Sequence, residues 1–197
     1  LTAIRKNGVQ LLARPLEIDV ARAPIDNDTE DRARWRNIEA ATAQMRSRVT
    51  ADASGISARG FMAADCRRSI LDYEITYAFT DEGLKIDLDY QIPEYVGDLA
   101  RVGLRFAVPD AYGRIRYLAY EGESYIDKHA GYVKDVFEKD IDALYVPYVR
   151  PQECSSRYAA DFFELIGEQS LSVTADKPFS FSVLPFSREQ LEKAKHD

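Results

Sequence analysis

"LKIDLDYQI", residues 84–92, alternates without a break. Leu84, Ile86, Leu88, Tyr90 and Ile92 take every second position, with Lys85, Asp87, Asp89 and Gln91 between them. Successive side chains of a strand point to opposite faces, so this period predicts a strand with one face in a core and the other in water. The same period runs through "YEITYAF" (73–79), "RVGLRFAV" (101–108, with Val102, Leu104, Phe106 and Val108 inward) and "FSFSV" (179–183). Asp81, Glu82 and Gly83 separate the first two runs and predict a hairpin turn. Many such strands joined by short turns specify an all-β fold of packed antiparallel sheets.

Helical pattern is scarce. Residues 29–43 lack alternation, are rich in Ala, Arg and Glu, and set Trp35, Ile38 and Thr42 on one stripe. The tail "SREQLEKAKH" opens with Ser187 and has Gln190 three residues later, the spacing of a capping box. One or two short helices are therefore expected. With no repeat, low-complexity tract or linker composition in its 197 residues, the chain reads as a single domain over 1–197, large enough for a proper core.

A formal charge of −7, with 33 acidic against 26 basic residues, gives no electrostatic reason to expect nucleic acid or an anionic membrane as partner. A neutral ligand such as a carbohydrate fits the balance better. No stretch approaches the ~20 apolar residues that a membrane helix needs. The two cysteines, Cys66 and Cys154, could pair or remain free thiols. Leu1 falls within a strand pattern, so the sequence reads as a fragment of a longer parent whose targeting signal, cytoplasmic or periplasmic, is out of view.

"ARAPIDNDTEDRARWRN" (21–37) crowds acids behind Pro24. A calcium loop starting at Asp26 would need Gly in sixth place and Glu in twelfth, where Asp31 and Asn37 stand, and so fails. Asp26, Asn27 and Asp28 are instead assigned to turn-making and to capping the following helix. "NDT" (27–29) also fits the N-glycosylation acceptor pattern, a signal common by chance. His129 and His196 are the only histidines, too few for a histidine-rich metal site. His129, near Glu123 and Asp127, could support acid/base work or belong to a hydrogen-bonded loop. Tyr145, Tyr148 and Tyr158 around "PYVRPQE" could stack on sugar rings or serve as sheet core, with Pro147 and Pro151 closing an edge. No glycine-rich phosphate loop or G-x-S-x-G elbow occurs.

Four ordered motifs carry a resemblance. "NGVQLLARPLEIDVARAPIDNDTEDRARW" (7–35) resembles a strand, an R-A-P-x-D-N-D turn and a Trp-bearing helix of family 2 β-galactosidases, in their C-terminal sandwich domain or small chain. "ARVGLRFAVP" (100–109) is similar to that family's P-R-x-G-x-x-F-x-x-P. "ESYIDKHAGYVKDVFEKDIDALYVPYVRPQECSSR" (123–157) resembles E-x-Y-x-D-R followed by P-Y-x-x-P-Q-E-x-G-N-R. "FSFSVLPFSREQLEKAKH" (179–196) resembles F-x-x-S-x-x-P-Y-S, then L-x-x-A-x-H. Two departures stand out: "LAYE" (118–121) for G-x-G-P, and "SSR" (155–157) for G-N-R.

The resemblance implies a two-layer antiparallel supersandwich of the galactose mutarotase-like type. It also implies that the acid/base and nucleophile glutamates of the retaining glycosidase, with their magnesium and sodium, lie in a preceding (β/α)8 barrel. No catalytic residue, metal ligand or cofactor is then expected within this chain. The family's tryptophan platform follows the L-x-x-A-x-H segment, and Trp35 is not a substitute for it. Glu123, Tyr125, Asp127 and His129 become candidates for the wall of a β-galactoside cleft. Asp26, Asn27, Asp28 and Trp35 become structural, and Glu153 with Arg157 an expected salt link. The implied partners are the barrel, the β-galactoside and a homo-oligomer of the parent, with neither nucleic acid nor membrane. The alternatives are a stand-alone mutarotase, in which His129 and a carboxylate would open a sugar ring, and a carbohydrate-binding module without chemistry.

Overall fold

A computed structural model describes residues 1–28, 38–53 and 55–194. Trp35, His196 and the body of the helix expected over 29–43 lie outside these residues. The chain is all-β, with two antiparallel four-stranded sheets and short helical pieces. Its residues fall into two compact units: Leu1–Leu16, Ala23–Asp26 and Phe106–Asp197, and then Glu17–Arg22 with Asn27–Arg105. Among the described residues no helix is long and apolar enough to cross a membrane. Both cysteines are free thiols, Cys66 exposed and Cys154 buried.

The second unit is built on a meander, β4(Gln44–Asp52), β5(Gly55–Ala63), β6(Leu71–Thr80) and β7(Gly83–Gln91), paired in that order. Thr80 pairs with Gly83 across Asp81 and Glu82, the expected hairpin. Register puts Val49, Ala58, Ile75 and Leu88 on one line across all four strands, and Ala51, Ile56, Tyr77 and Ile86 on the next. The period of two in each strand thus becomes one apolar sheet face, with Arg48, Arg59, Glu74 and Asp89 lined up on the reverse. Leu71, Tyr73, Ile75 and Met62 are buried, and the Ile18 amide reaches the Met45 sulfur on the same face. Gly60 lets β4 approach: a Cβ there would meet Arg46 O at 1.9 Å.

The alternation overstates burial at this sheet's margins. Phe79, expected inward, is 87% exposed, and Tyr90 is 51% exposed. Phe79 sits at the β6–β7 hairpin tip and Tyr90 on the edge strand, where pattern gives direction but neighbours are few. At the described end of the helix expected over 29–43 there is no α-helix. Glu39 has φ 56°, only a 3₁₀ turn over Ala40–Thr42 follows, and Ala43 is already extended.

In the first unit, β9(Arg114–Tyr120) and β11(Arg157–Ile166) lie at the centre of a sheet ordered β10–β9–β11–β12, with β10(Lys134–Asp140) and β12(Leu171–Phe181) at its edges. Tyr117 is fully buried, its ring 5.6 Å from Phe137 and 5.5 Å from Phe181, while Phe163 lies 4.9 Å from Phe181. Burial of such a side chain stabilises by about 1.5–3 kcal/mol, so this aromatic cluster dominates the core. On the outer face cross-strand pairs Arg116–Glu164 and Arg114–Glu138 replace apolar contact. Between Phe162↔Thr174 and Ala160↔Phe179, β12 spends five residue steps against two on β11, so residues 175–178, "ADKP", bulge out exposed. Pro178, which lacks an amide hydrogen, is tolerated there.

Two short strands, β1(Arg5–Lys6) and β2(Val9–Gln10), form a hairpin around Asn7–Gly8. β3(Arg14–Asp19) pairs with β8(Gly103–Ala107) in a two-stranded sheet. In β8 Phe106 packs on the core of the first unit with Val108 just beyond, but Leu104 is 37% exposed rather than inward. Pairing with one strand alone leaves part of β8 without a covering layer. The tail helix, α1(Arg188–Lys193), starts at the expected capping box: Gln190 N–H donates to Ser187 Oγ, and Ser187 N–H to Gln190 Oε1.

Candidate functional site

Strand β9 ends at Tyr120 and the chain enters the 121–133 loop, which carries all four predicted cleft residues. The Glu123 carboxylate is the loop's anchor. Its Oε1 accepts from Tyr125 OH at 3.0 Å and from Ser155 N–H at 3.0 Å, and its Oε2 accepts from Tyr148 OH at 2.8 Å. Ser124, fully buried beside it, donates its amide to Ser156 O and accepts the Tyr158 amide on Oγ. Two adjacent residues thus fasten the loop to the 155–158 segment. Charge-assisted bonds of this kind are roughly twice as strong as neutral ones.

The carboxylate also sets the acidity of its neighbours. Tyr125 is held well above the ordinary phenol range, first by burial and then by the Glu123 charge. Tyr148 is pushed up to about 12, mainly by donating its proton to Glu123. Burial raises the Cys154 thiol, which makes it a poor thiolate.

Asp127 is exposed in the same loop. His129 is half-buried, shares a hydrogen bond of 2.9 Å between Nδ1 and Ile126 O, and lies 5.0 Å from each of the Tyr120 and Tyr158 rings, which stack at 6.0 Å and 11°. Among the hydrogen bonds of the described residues none joins Glu123 to His129. The three tyrosines considered for sugar stacking do not share one face either. Tyr145 packs edge-on against Phe186 at 5.2 Å, Tyr148 serves Glu123, and Tyr158 joins the His129 stack. Residues 145–156 form no strand, so Pro147 and Pro151 close no sheet edge.

Glu153 and Arg157 act apart. Arg157 is 4% exposed; its Nε donates to Tyr117 OH and its Nη1 to Ser156 O. Glu153 Oε2 accepts the Ala23 amide at 3.2 Å. The expected Glu153–Arg157 link is not among the ion pairs of the described residues. Asp26 and Asn27 form the predicted turn, with Asp26 N–H donating to Gln152 Oε1. Asp28 clasps Arg22 through two bonds of 2.6 and 2.8 Å. Any capping of the helix beyond it falls outside the described residues.

Ser155, marked in the sequence only as part of the "SSR" departure, is central. It has φ 70°, donates its amide to Glu123, and donates Oγ to Val183 O at 3.0 Å. The signal was the "SSR" departure, because Ser155 occupies the glycine place of G-N-R and adopts the left-handed backbone that glycine favours. Among the described residues no group of three or more His, Cys, Asp or Glu is placed to hold a metal ion.

The profile of the beta galactosidase small chain family matches residues 1–197. A beta-galactosidase of Actinobacillus pleuropneumoniae is 30% identical over 200 residues, covering 98% of this chain and 20% of its own length. A beta-galactosidase small subunit of Latilactobacillus sakei is 30% identical over 138 residues, 62% of this chain and 43% of its own. A beta-galactosidase of Streptococcus thermophilus is 26% identical over 210 residues, covering 100% of this chain and 20% of its own length. The chain thus spans about a fifth of the two longer relatives and under half of the small subunit. A match over all 197 residues, added to the four ordered motifs, leads to one conclusion: the chain belongs to the beta galactosidase small chain family.

Proposed function

We propose that this chain is a non-catalytic part of a retaining β-galactosidase, packing on the catalytic part and lending one wall to the carbohydrate cleft. The observation that carries the reading is the state of Glu123. Its carboxylate is engaged by three donors, Tyr125 from its own loop and Tyr148 and Ser155 from the 145–156 stretch, whereas a glycosidase acid or nucleophile must be free to meet the sugar. Retention needs two such carboxyls about 5 Å apart. We assign that pair, and any metal that assists it, to the polypeptide outside residues 1–197.

Within the chain, the Glu123 anchor positions the loop, and exposed Asp127 with the His129 ring form the polar and aromatic rim that meets substrate. The test is hydrolysis of an aryl β-galactoside by the native polypeptide and by the 197-residue chain alone. Activity is expected only in the former; protein-dependent hydrolysis by the chain alone overturns the non-catalytic assignment. In the active polypeptide His129→Ala and Asp127→Asn are expected to raise KM severalfold with kcat little changed. Unchanged KM in both removes the cleft assignment.

A further inference from the structure

Resting on the reading above, we infer that the exposed end of the apolar face of the β4–β7 sheet is a docking surface for an apolar segment of the same β-galactosidase outside residues 1–197. The face is uncharged along all four strands: among its described positions in the paired registers there is no Asp, Glu, Lys or Arg, and Ser47 is its one hydroxyl on β4. At the Leu71 end Leu71, Met62 and Tyr73 are buried. At the β6–β7 tip, on edge strand β4 and at the start of β5 the face is open, with Phe79 87%, Val49 62% and Ile56 43% exposed. Ala51 and the half-buried Leu84 complete the patch.

Three exposed large apolar residues on one continuous face are unlike the scattered single residues of an ordinary surface. The reverse face, with Arg48, Glu74 and Asp89, shows what this sheet carries where it meets water. The occupant is identified by chemistry and by length. A face without charge selects an apolar partner. In the A. pleuropneumoniae and S. thermophilus relatives the matched region is only 20% of the polypeptide, so most of that polypeptide is available to cover it.

The test is thiol labelling of the native galactosidase polypeptide carrying Phe79→Cys or Val49→Cys, read peptide by peptide against the same protein unfolded in urea. Both positions are open in this chain, so both variants are expected to fold. Protection of about tenfold or more at each position, independent of enzyme concentration, is the expected result. Labelling within about threefold of the unfolded rate overturns the docking surface. Protection that disappears on dilution overturns it too, by assigning the cover to a second copy. Failure of the functional reading looks different: a polypeptide without galactosidase activity whose introduced thiols are still protected.

Discussion

Replacing Glu123 by Ala removes the acceptor for three donors at once, and the cost follows from where each donor is left. Ser155 is fully buried and its amide loses its partner, which costs about 1–3 kcal/mol. Tyr125 and Tyr148 are only half-buried and can turn toward water, so each adds less than the ~1 kcal/mol of an ordinary bond. The sum is about 3 kcal/mol, or roughly a hundredfold in the local opening equilibrium at 1.4 kcal/mol per decade. Glu123→Gln keeps an oxygen for Ser155 and Tyr125 and turns an amide toward Tyr148, so it loses mainly the charge assistance, about 1 kcal/mol. Amide hydrogen exchange over residues 145–158, followed by mass spectrometry, measures both. The expected order is Ala, then Gln, then wild type in exchange rate. Equal protection in all three proteins would refute the claim that this carboxylate fastens the loop.

Three further outcomes follow from the same region. Tyr117→Phe removes the hydroxyl that accepts from the buried Arg157 Nε and is expected to destabilise by about 1–3 kcal/mol, measured by urea denaturation. Ser155→Ala keeps the left-handed backbone and loses the bond to Val183 O, whereas Ser155→Gly loses the bond but relieves the strain. The glycine variant should melt higher than the alanine variant, by an amount equivalent to about 1 kcal/mol. Because Tyr148 holds its proton more tightly folded than unfolded, its contribution is complete below pH 10 and is lost as pH rises through about 12. Spectroscopic titration of tyrosinate should show the Tyr148 midpoint falling toward its ordinary value in Glu123→Gln, where the main cause of the shift is weakened.

The strands were legible because alternation is a local property. The Leu84–Tyr90 run states which way each side chain points, and register confirms it across four strands. How deeply each is covered is not local, and so Phe79 and Tyr90 were expected inward yet lie exposed. The capping box at Ser187 was readable for the same reason as the strands, since both partners lie within one turn. At the site, the Glu123–Tyr125 spacing was visible. The other two donors were not, because Tyr148 and Ser155 lie 25 and 32 residues further along and arrive only through folding. The resemblance implied a salt link between Glu153 and Arg157, a pairing that no local pattern can test. In the fold Arg157 stands inward against Tyr117, while Glu153 turns to the Ala23 amide.

The excursion of β12 at residues 175–178 has a use that its neighbours lack. Both flanking stretches of the strand are fixed by their own pairing, Phe162↔Thr174 on one side and Ala160↔Phe179 on the other. The intervening residues are exposed, so the number of residues between those clamps is decoupled from the sheet. Such a place absorbs length changes that would shift the register of an uninterrupted strand. It is where relatives can diverge by insertion, and where an affinity tag or reporter peptide can be spliced without disturbing the Tyr117 core or the Glu123 loop.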